Sequence, residues 1–330
     1  MRRAMEAAAL EPAQFGLRED PHQAALERRA AAVLGKEDAL LFPTCTMANE
    51  AALMALTRPG EIVAAQADAH IITSEAGAPA ALAGVSVVPV PGAPIAPPIA
   101  EWETMARRNG DELRSRVGAF VLENTHNRGG GAMLSAAYTR EVCGIAHRHG
   151  IGVHIDGARL CNAAVAQSCR PSDLADACDT VAVSLNKGLS APLGAVLAGS
   201  RALIERALIV RQRLGGGIRP TNIVSAAARV ALEDWSHLAE DHRRAHRLAE
   251  RLAGALGLRI DPAAIATNIV VAGIPSEGPT PEAFCVMLAE GGVLALPFGP
   301  GRIRFVIYRD IDDEAIDRAA DIVVACCDRS

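Results

Sequence analysis

GVHIDGARLCNAAVAQSCRPSDLADACDTVAVSLNKGLSAPLGAVLAG, residues 152–199, is the stretch whose reading decides the fold. It holds three short apolar runs, GVHID, TVAVSLN and GAVLAG, separated by polar and helical segments. Runs that are apolar at consecutive positions belong to strands covered on both faces, because a strand with one wet face would alternate. The same texture lies upstream in DALLF, EIVAAQ, VSVVPV and GAFVLE, between residues 38 and 123. Such runs alternating with helical patterns predict an α/β fold built on a mostly parallel sheet. Asp20 and Pro21 read as the N-cap and first residue of a helix that Gly35 closes, and 47–56 as a second helix stopped by Pro59-Gly60. The Pro-rich segment 92–102 reads as an exposed loop.

Beyond residue 200 the texture changes. Helical stretches at 201–213, 223–232 and 240–256 are followed by NIVVAG, a helix at 281–290, GVLALP, RIRFVIY and a last helix at 312–327. That order predicts a smaller α+β domain, so the expected domains are 1–240 and 241–330. The first twenty or so residues are expected either with the large domain or packed on the small one.

Of the 330 residues 50% are hydrophobic but only 3% aromatic, so the core must be built from aliphatic side chains and alanine. A net charge of -5 gives no electrostatic footprint for nucleic acid. No run of about 18 apolar residues is free of charge, Gly and Pro, so no membrane span is expected. The N-terminus shows no signal-peptide cleavage pattern. The eight cysteines contain no C-x-x-C spacing and read as thiols of a reducing compartment, so a cytoplasmic location is expected. The HRH at 147–149 lies where a helix ends before Gly150, a place where cations suit the negative helix terminus, and no metal site is expected.

Neither glycine cluster, RGGG at 128–131 or GGG at 215–217, forms a dinucleotide or Walker fingerprint. The polar residues that follow the apolar runs carry the chemistry, since open α/β sheets bind ligands at the carboxyl ends of their strands. They are Thr44 and Thr46 after LLFP, His70 after EIVAAQADA, Glu123 and His126 after AFVL, Asp156 and Arg159 after GVHI, and Lys187 after AVSLN. A lysine and a carboxylate at successive strand ends suit pyridoxal phosphate, which needs an amine for its aldehyde and an anion for its ring nitrogen. An ordinary strand-end ion pair would look the same. Likewise, the turn around Cys45 and Thr46 could open a helix onto a phosphate, or a threonine there could serve only as an N-cap.

Taken together, the motifs resemble the low-specificity L-threonine aldolases of the β-eliminating lyase group, pyridoxal-phosphate enzymes of fold type I. LFPTCTMAN is similar to the family's FxPTGTxAN, DAHIITSEAGA to its HIxxxEAGA, and LENTHNRGGG to LENTHNxxGG. HIDGARLCNA, SLNKGLSAPLG, LGGGIRPTNIVSAAA and RIRFVIYRDI resemble HxDGARxxNA, xSKGLxAPxG, GGGMRQxGxxAAA and VRxVTHxDv. The resemblance runs in order from about Gly16 to the C-terminus.

It implies that Lys187 forms the imine with the cofactor, Asp156 partners its ring nitrogen and Arg159 its phenolic oxygen. It implies that His70 stacks on the ring and that Cys45 and Thr46 hold the phosphate. His126 would lie at the substrate hydroxyl and Arg304 would grip the substrate carboxylate. Arg213 and Arg219 would reach the phosphate of a neighbouring subunit in a homo-oligomer, dimer or tetramer. The implied reaction cleaves L-threonine, L-allo-threonine or a related β-hydroxy-α-amino acid to glycine and an aldehyde, with His126 as base and His70 as the competing candidate. A transaldolase, a β-eliminating lyase or a non-catalytic homologue would share these residues. The sequence departs from the family at four places. No Asp-x-Arg-Ser-Asp-Thr segment precedes the first helix, which implies either a late start or fewer donors for the substrate carboxylate. Cys45 replaces a glycine, which would be strained if that position needed positive φ. Asn186 replaces a serine, and Tyr308 a histidine.

Overall fold

The computed structural model describes residues 1–12, 14–111 and 113–328. The chain divides into two compact units, one comprising Met1–Gly129 and Met133–Trp235, the other Gly130–Ala132 and the chain from Ser236 onward. All seven apolar runs of the first unit are strands: β1 (Asp38–Phe42), β2 (Ile62–Gln66), β3 (Ser86–Val90), β4 (Val117–Glu123), β5 (Gly152–Asp156), β6 (Thr180–Ser184) and β7 (Ala195–Gly199). They form one sheet in the order β1-β7-β6-β5-β4-β2-β3. β7 is antiparallel to both neighbours, and the pairs β2–β3, β2–β4, β4–β5 and β5–β6 are parallel. β7 reverses direction because only the turn 185–194 joins it to β6, closed by Leu185 N–H donating to Gly194 O at 2.9 Å. That turn is too short for a crossover helix.

β3 is the exception to burial on both faces. It is an edge strand, partly exposed along four of its five residues, and its Pro89 is tolerated there because one side of the strand has no ladder partner. Elsewhere small side chains let helices lie close on the sheet. Ala48, Ala51 and Ala52 of the helix Cys45–Leu56 pack among Leu40, Phe42 and Leu197.

Three expectations need correction. The segment 92–102 is not a loop throughout: the helix Ile99–Ala106 starts inside it, and Trp102 is fully buried. Trp102 Nε1 donates to the Tyr138 hydroxyl at 2.8 Å, and its ring lies 4.8 Å from that of Phe120. The helix expected at 47–56 starts at Cys45, because Thr44 caps it. The boundary expected at 240 falls at 235/236, because the helix His237–Leu252 starts three residues before Glu240 and belongs whole to the second unit. Of the two places expected for the N-terminus, the first unit holds it: the helix Arg2–Ala9 packs on the helix Asn222–Ala231, where Asn222 Nδ2 donates to Ala8 O at 2.7 Å.

The second unit holds an antiparallel sheet of β8 (Ile269–Gly273), β9 (Leu296–Pro297) and β10 (Arg302–Val306) in the order β8-β10-β9. The helices Pro281–Glu290 and Asp313–Cys327 close its core, where Leu252, Phe284, Ile303, Phe305 and Val323 are buried.

Candidate active site

Parallel strands end at one edge of the sheet, and there β4 and β5 present Glu123 and Asp156 as register partners. The 185–194 turn places Lys187, half-buried, beyond the next strand. Two residues near the site hold positive φ without being glycine, Ala76 at 52° and Ser190 at 60°. Each costs backbone energy that the surrounding packing must offset.

The helix Cys45–Leu56 enters from the end of β1. Thr44, extended at φ -139°, accepts the Met47 N–H at 3.1 Å, and the N–H groups of Cys45 and Thr46 belong to the first turn, which has no intrahelical acceptors. Cys45 does not hold positive φ, so a side chain there is free of the strain its replacement of glycine would otherwise bring.

One turn into this helix, Asn49 organises the site. Its Nδ2 donates to Asp156 Oδ2 at 2.9 Å and to Glu75 Oε1 at 2.8 Å, and its Oδ1 faces His154 Nε2 at 3.1 Å. The amide orientation follows from this network, since the reverse would aim an oxygen at two carboxylates. His154 is buried, which pushes its imidazole down to about 4 and keeps it neutral. It therefore donates from Nε2 to Asn49 and accepts from the Thr180 hydroxyl at Nδ1, at 2.9 Å. A chain from Thr180 through His154 and Asn49 thus fixes the Asp156 carboxylate, whose Oδ1 also accepts the Ala158 N–H at 3.2 Å.

Glu75 Oε1 also meets His70 Nδ1 at 2.8 Å, and this bond raises the His70 imidazole above its usual range. The His70 backbone N–H donates to Glu123 Oε2 at 2.7 Å, and Asn127 N–H to Oε1 at 2.7 Å. Burial, aided by the Asp156 charge, pushes Glu123 up to about 7 in spite of these donors. Burial also pushes the Cys45 thiol well up, and the charges of Asp156, Glu75 and Glu123 add to it while Lys187 opposes. The same small volume therefore holds all of these groups.

His126 is fully buried, which lowers its imidazole to about 4. Gly129 N–H donates to its Nδ1 at 3.0 Å, so the neutral ring carries its proton on Nε2. That nitrogen lies 4.0 Å from Glu123 Oε2 and, among the described residues, has no hydrogen-bond partner. As placed, His126 is a donor rather than an acceptor.

The structure thus gathers Lys187, Asp156, His70, His126, Cys45 and Thr46 at one edge of the sheet, with Arg159 capping the helix Leu160–Ala166 three residues after Asp156. Arg213 and Arg219 are exposed on the same unit, and Arg219 Nη1 reaches Phe15 O at 3.4 Å. Arg304 lies on β10 of the second unit, its guanidinium 4.7 Å from the centre of the Phe298 ring. Sequence reasoning gave no role to Asn49, Glu75 or His154. The signal was a polar residue set among alanines and glycines, in TMANE, SEAGA and GVHID.

His70, Glu75 and Asp156 bring ligand atoms within 4.8 Å of one another. The Asn49 amide, however, bridges the two carboxylates with its own N–H groups where a cation would sit. The donor set suits pyridoxal phosphate better. An oriented carboxylate answers a pyridinium N–H, a side chain one quarter exposed at His70 offers a ring face, and two helix N–H groups answer a phosphate.

Comparison with known proteins agrees with this geometry. The chain is 38% identical over 298 residues to low-specificity L-threonine aldolase 1 of Arabidopsis thaliana, covering 88% of this chain and 83% of that protein. It is 32% identical to the low specificity L-threonine aldolase of Escherichia coli K12, over 92% and 88% of the two chains. Among solved structures, the threonine aldolase of Leishmania major superposes with a TM-score of 0.80 at 20% identity, over 99% of this chain and 96% of that one, which establishes fold type I. The model of the beta-eliminating lyase family matches residues 1–274, and with these relatives it shows that the chain belongs to the beta-eliminating lyase family.

Proposed function

We propose that this protein is a pyridoxal-phosphate-dependent lyase that cleaves L-threonine, L-allo-threonine or a related β-hydroxy-α-amino acid to glycine and an aldehyde. The observation that carries the reading is the Asp156 carboxylate, held by Asn49 at the end of β5 beside the Lys187 turn. When bound, the cofactor supplies an electron sink for the pair released as the Cα–Cβ bond breaks. Lys187 holds the cofactor, Asp156 its ring nitrogen and Arg159 its phenolic oxygen, while Cys45 and Thr46 N–H groups and His70 take the phosphate and the ring face. Arg304 would grip the substrate carboxylate through a two-pronged contact.

The two histidines divide the proton work by their hydrogen bonds. His70 gives its Nδ1–H to Glu75, which leaves the Nε2 lone pair available and raises its basicity, so His70 accepts the proton of the substrate hydroxyl. His126 has its lone pair occupied by Gly129, so toward that hydroxyl it would serve only as a donor, from Nε2–H.

The protein works as a homo-oligomer. Leu10, Phe15, Leu17, Ile218 and Ile223 are exposed apolar side chains near the 215–217 glycines, a surface a second copy would cover. All eight cysteines are free thiols, which suits the reducing cytoplasm, and no described helix is long and apolar enough to cross a membrane.

Lys187→Ala tests the reading. The purified protein should be yellow, borohydride should fix a pyridoxyl group on the Lys187 peptide, and the variant should fold but release no glycine. An adduct on a different lysine, or none, would overturn the assignment.

A further inference from the structure

Glu50 follows Asn49 in the helix Cys45–Leu56, is 1% exposed, and has no part in the reaction described above. Neither of its oxygens receives an N–H or O–H from any described residue, and neither does Glu75 Oε2. Three carboxylate oxygens shut away from water without a donor would be very costly as two anions. The two carboxyl groups lie within hydrogen-bonding reach of each other, and one proton between them gives Glu75 Oε2 its donor and discharges Glu50. Glu75 Oε1 is already committed to Asn49 and His70, so the proton belongs on Glu50.

We propose that Glu50 is a neutral carboxylic acid that donates to Glu75 Oε2 and is thereby a positioning residue for His70, fixing Glu75 so that Oε1 faces the imidazole. The inference deepens the functional reading in which His70 works at the cofactor and substrate. Burial, then the Glu75 charge, raises the Glu50 carboxyl to about 8, which agrees with a neutral acid at physiological pH. The charged groups facing this triad are Asp156 from β5 and Glu123 from β4, with Lys187 and Cys45 at the rim, while His154 is held neutral beneath Asn49. The anions favour a protonated His70, so whether Glu75 is fixed on Oε1 decides how firmly that proton is held.

The test uses the full chain, with and without pyridoxal phosphate, and the variants E50Q and E50L. Infrared spectra at pH 6 should show neutral carboxylic acid carbonyl intensity with two components, one from Glu123 that titrates away near pH 7 and persists in E50Q, and one from Glu50 that titrates away near pH 8 and is absent from E50Q. Nuclear magnetic resonance of labelled histidine should place the His70 midpoint unchanged in E50Q, whose amide still donates, and displaced by at least about half a pH unit in E50L, roughly a threefold change in proton affinity. A component titrating near pH 8 that survives in E50Q, or an E50L variant whose His70 titrates like wild type, overturns the proposal. If E50L does not fold, the infrared comparison alone decides. These readings need no cofactor, so a protein that keeps the Glu50 band but takes up no cofactor would sink the functional reading and leave this one standing.

Discussion

Asn49 shows how much one side chain can decide. It is 1% exposed and satisfies two carboxylates and a histidine at once, so Asn49→Ala leaves buried acceptors unpaired, at a cost of about 1–3 kcal/mol. The expected outcome is a less stable apoprotein and cofactor affinity reduced at least about tenfold, since about 1.4 kcal/mol is that factor. Denaturant unfolding and cofactor titration of the variant measure both, and wild-type values in both would mean that Asp156 is oriented by something else. His154 belongs to the same argument one bond further out. A histidine inside GVHID reads as a strand residue, and only the neighbouring Thr180 and Asn49 make it a fixed donor.

At the scale of elements, the decisive piece is the loop that ends the helix Arg201–Arg213. Arg213 and Arg219 are exposed, and the glycines between them include Gly215 at φ 76°, a conformation that side chains rarely adopt. If this loop serves the site of a second copy, Arg213→Ala and Lys187→Ala should each be inactive alone. Co-expressed, they should recover roughly a quarter of wild-type activity, because random pairing makes half of the dimers mixed and each mixed dimer has one intact site. No recovery from stable mixed oligomers would confine Arg213 to its own chain. The sequence showed where this helix and loop lie, as it did for Pro281–Glu290, whose Thr280 cap and Pro281 are local signals. It misplaced the segment around Trp102, because three prolines and a glycine dominate the local pattern while a buried indole is a tertiary demand.

For the whole molecule, buried ionisable groups set the pH response. His126, His154 and His242 are held at about 4 in the fold, against about 6.5 in the unfolded chain, so the unfolded chain binds more protons between these values and stability rises with pH there. Glu50 and Glu123 are held at about 8 and about 7, so the folded state keeps their protons, and their contribution is lost as pH rises from the usual carboxylate range through those values. His70, raised by Glu75, loses its contribution on the same side. Asp241, raised by burial, loses on the acid side with Glu50 and Glu123, but the three histidines gain over the wider span from about 4 to 6.5, and only losses remain above it. The apoprotein should therefore be most stable near pH 6.5, as thermal unfolding across pH 5 to 9 would show. A stability that climbs steadily to pH 8 would contradict the buried neutral carboxyls.

By itself the sequence determined the seven strands of the large sheet, the limits of helices such as Arg201–Arg213 and Pro281–Glu290, and the identity of Lys187, Asp156, His70 and His126 as residues that follow strand ends. Those are local properties: runs of apolar side chains, caps, and polar residues at the ends of runs. Tertiary structure decided the reversal of β7, the place of the N-terminal helix, the hydrogen-bond partners of Asn49, Glu75 and His154, and the burial of Glu50. It also decided which ring nitrogen of each histidine is occupied, Nδ1 of His70 by Glu75 and Nδ1 of His126 by the Gly129 N–H. Donors and acceptors far apart in sequence meet only when the chain is folded, and burial then fixes where each proton must sit.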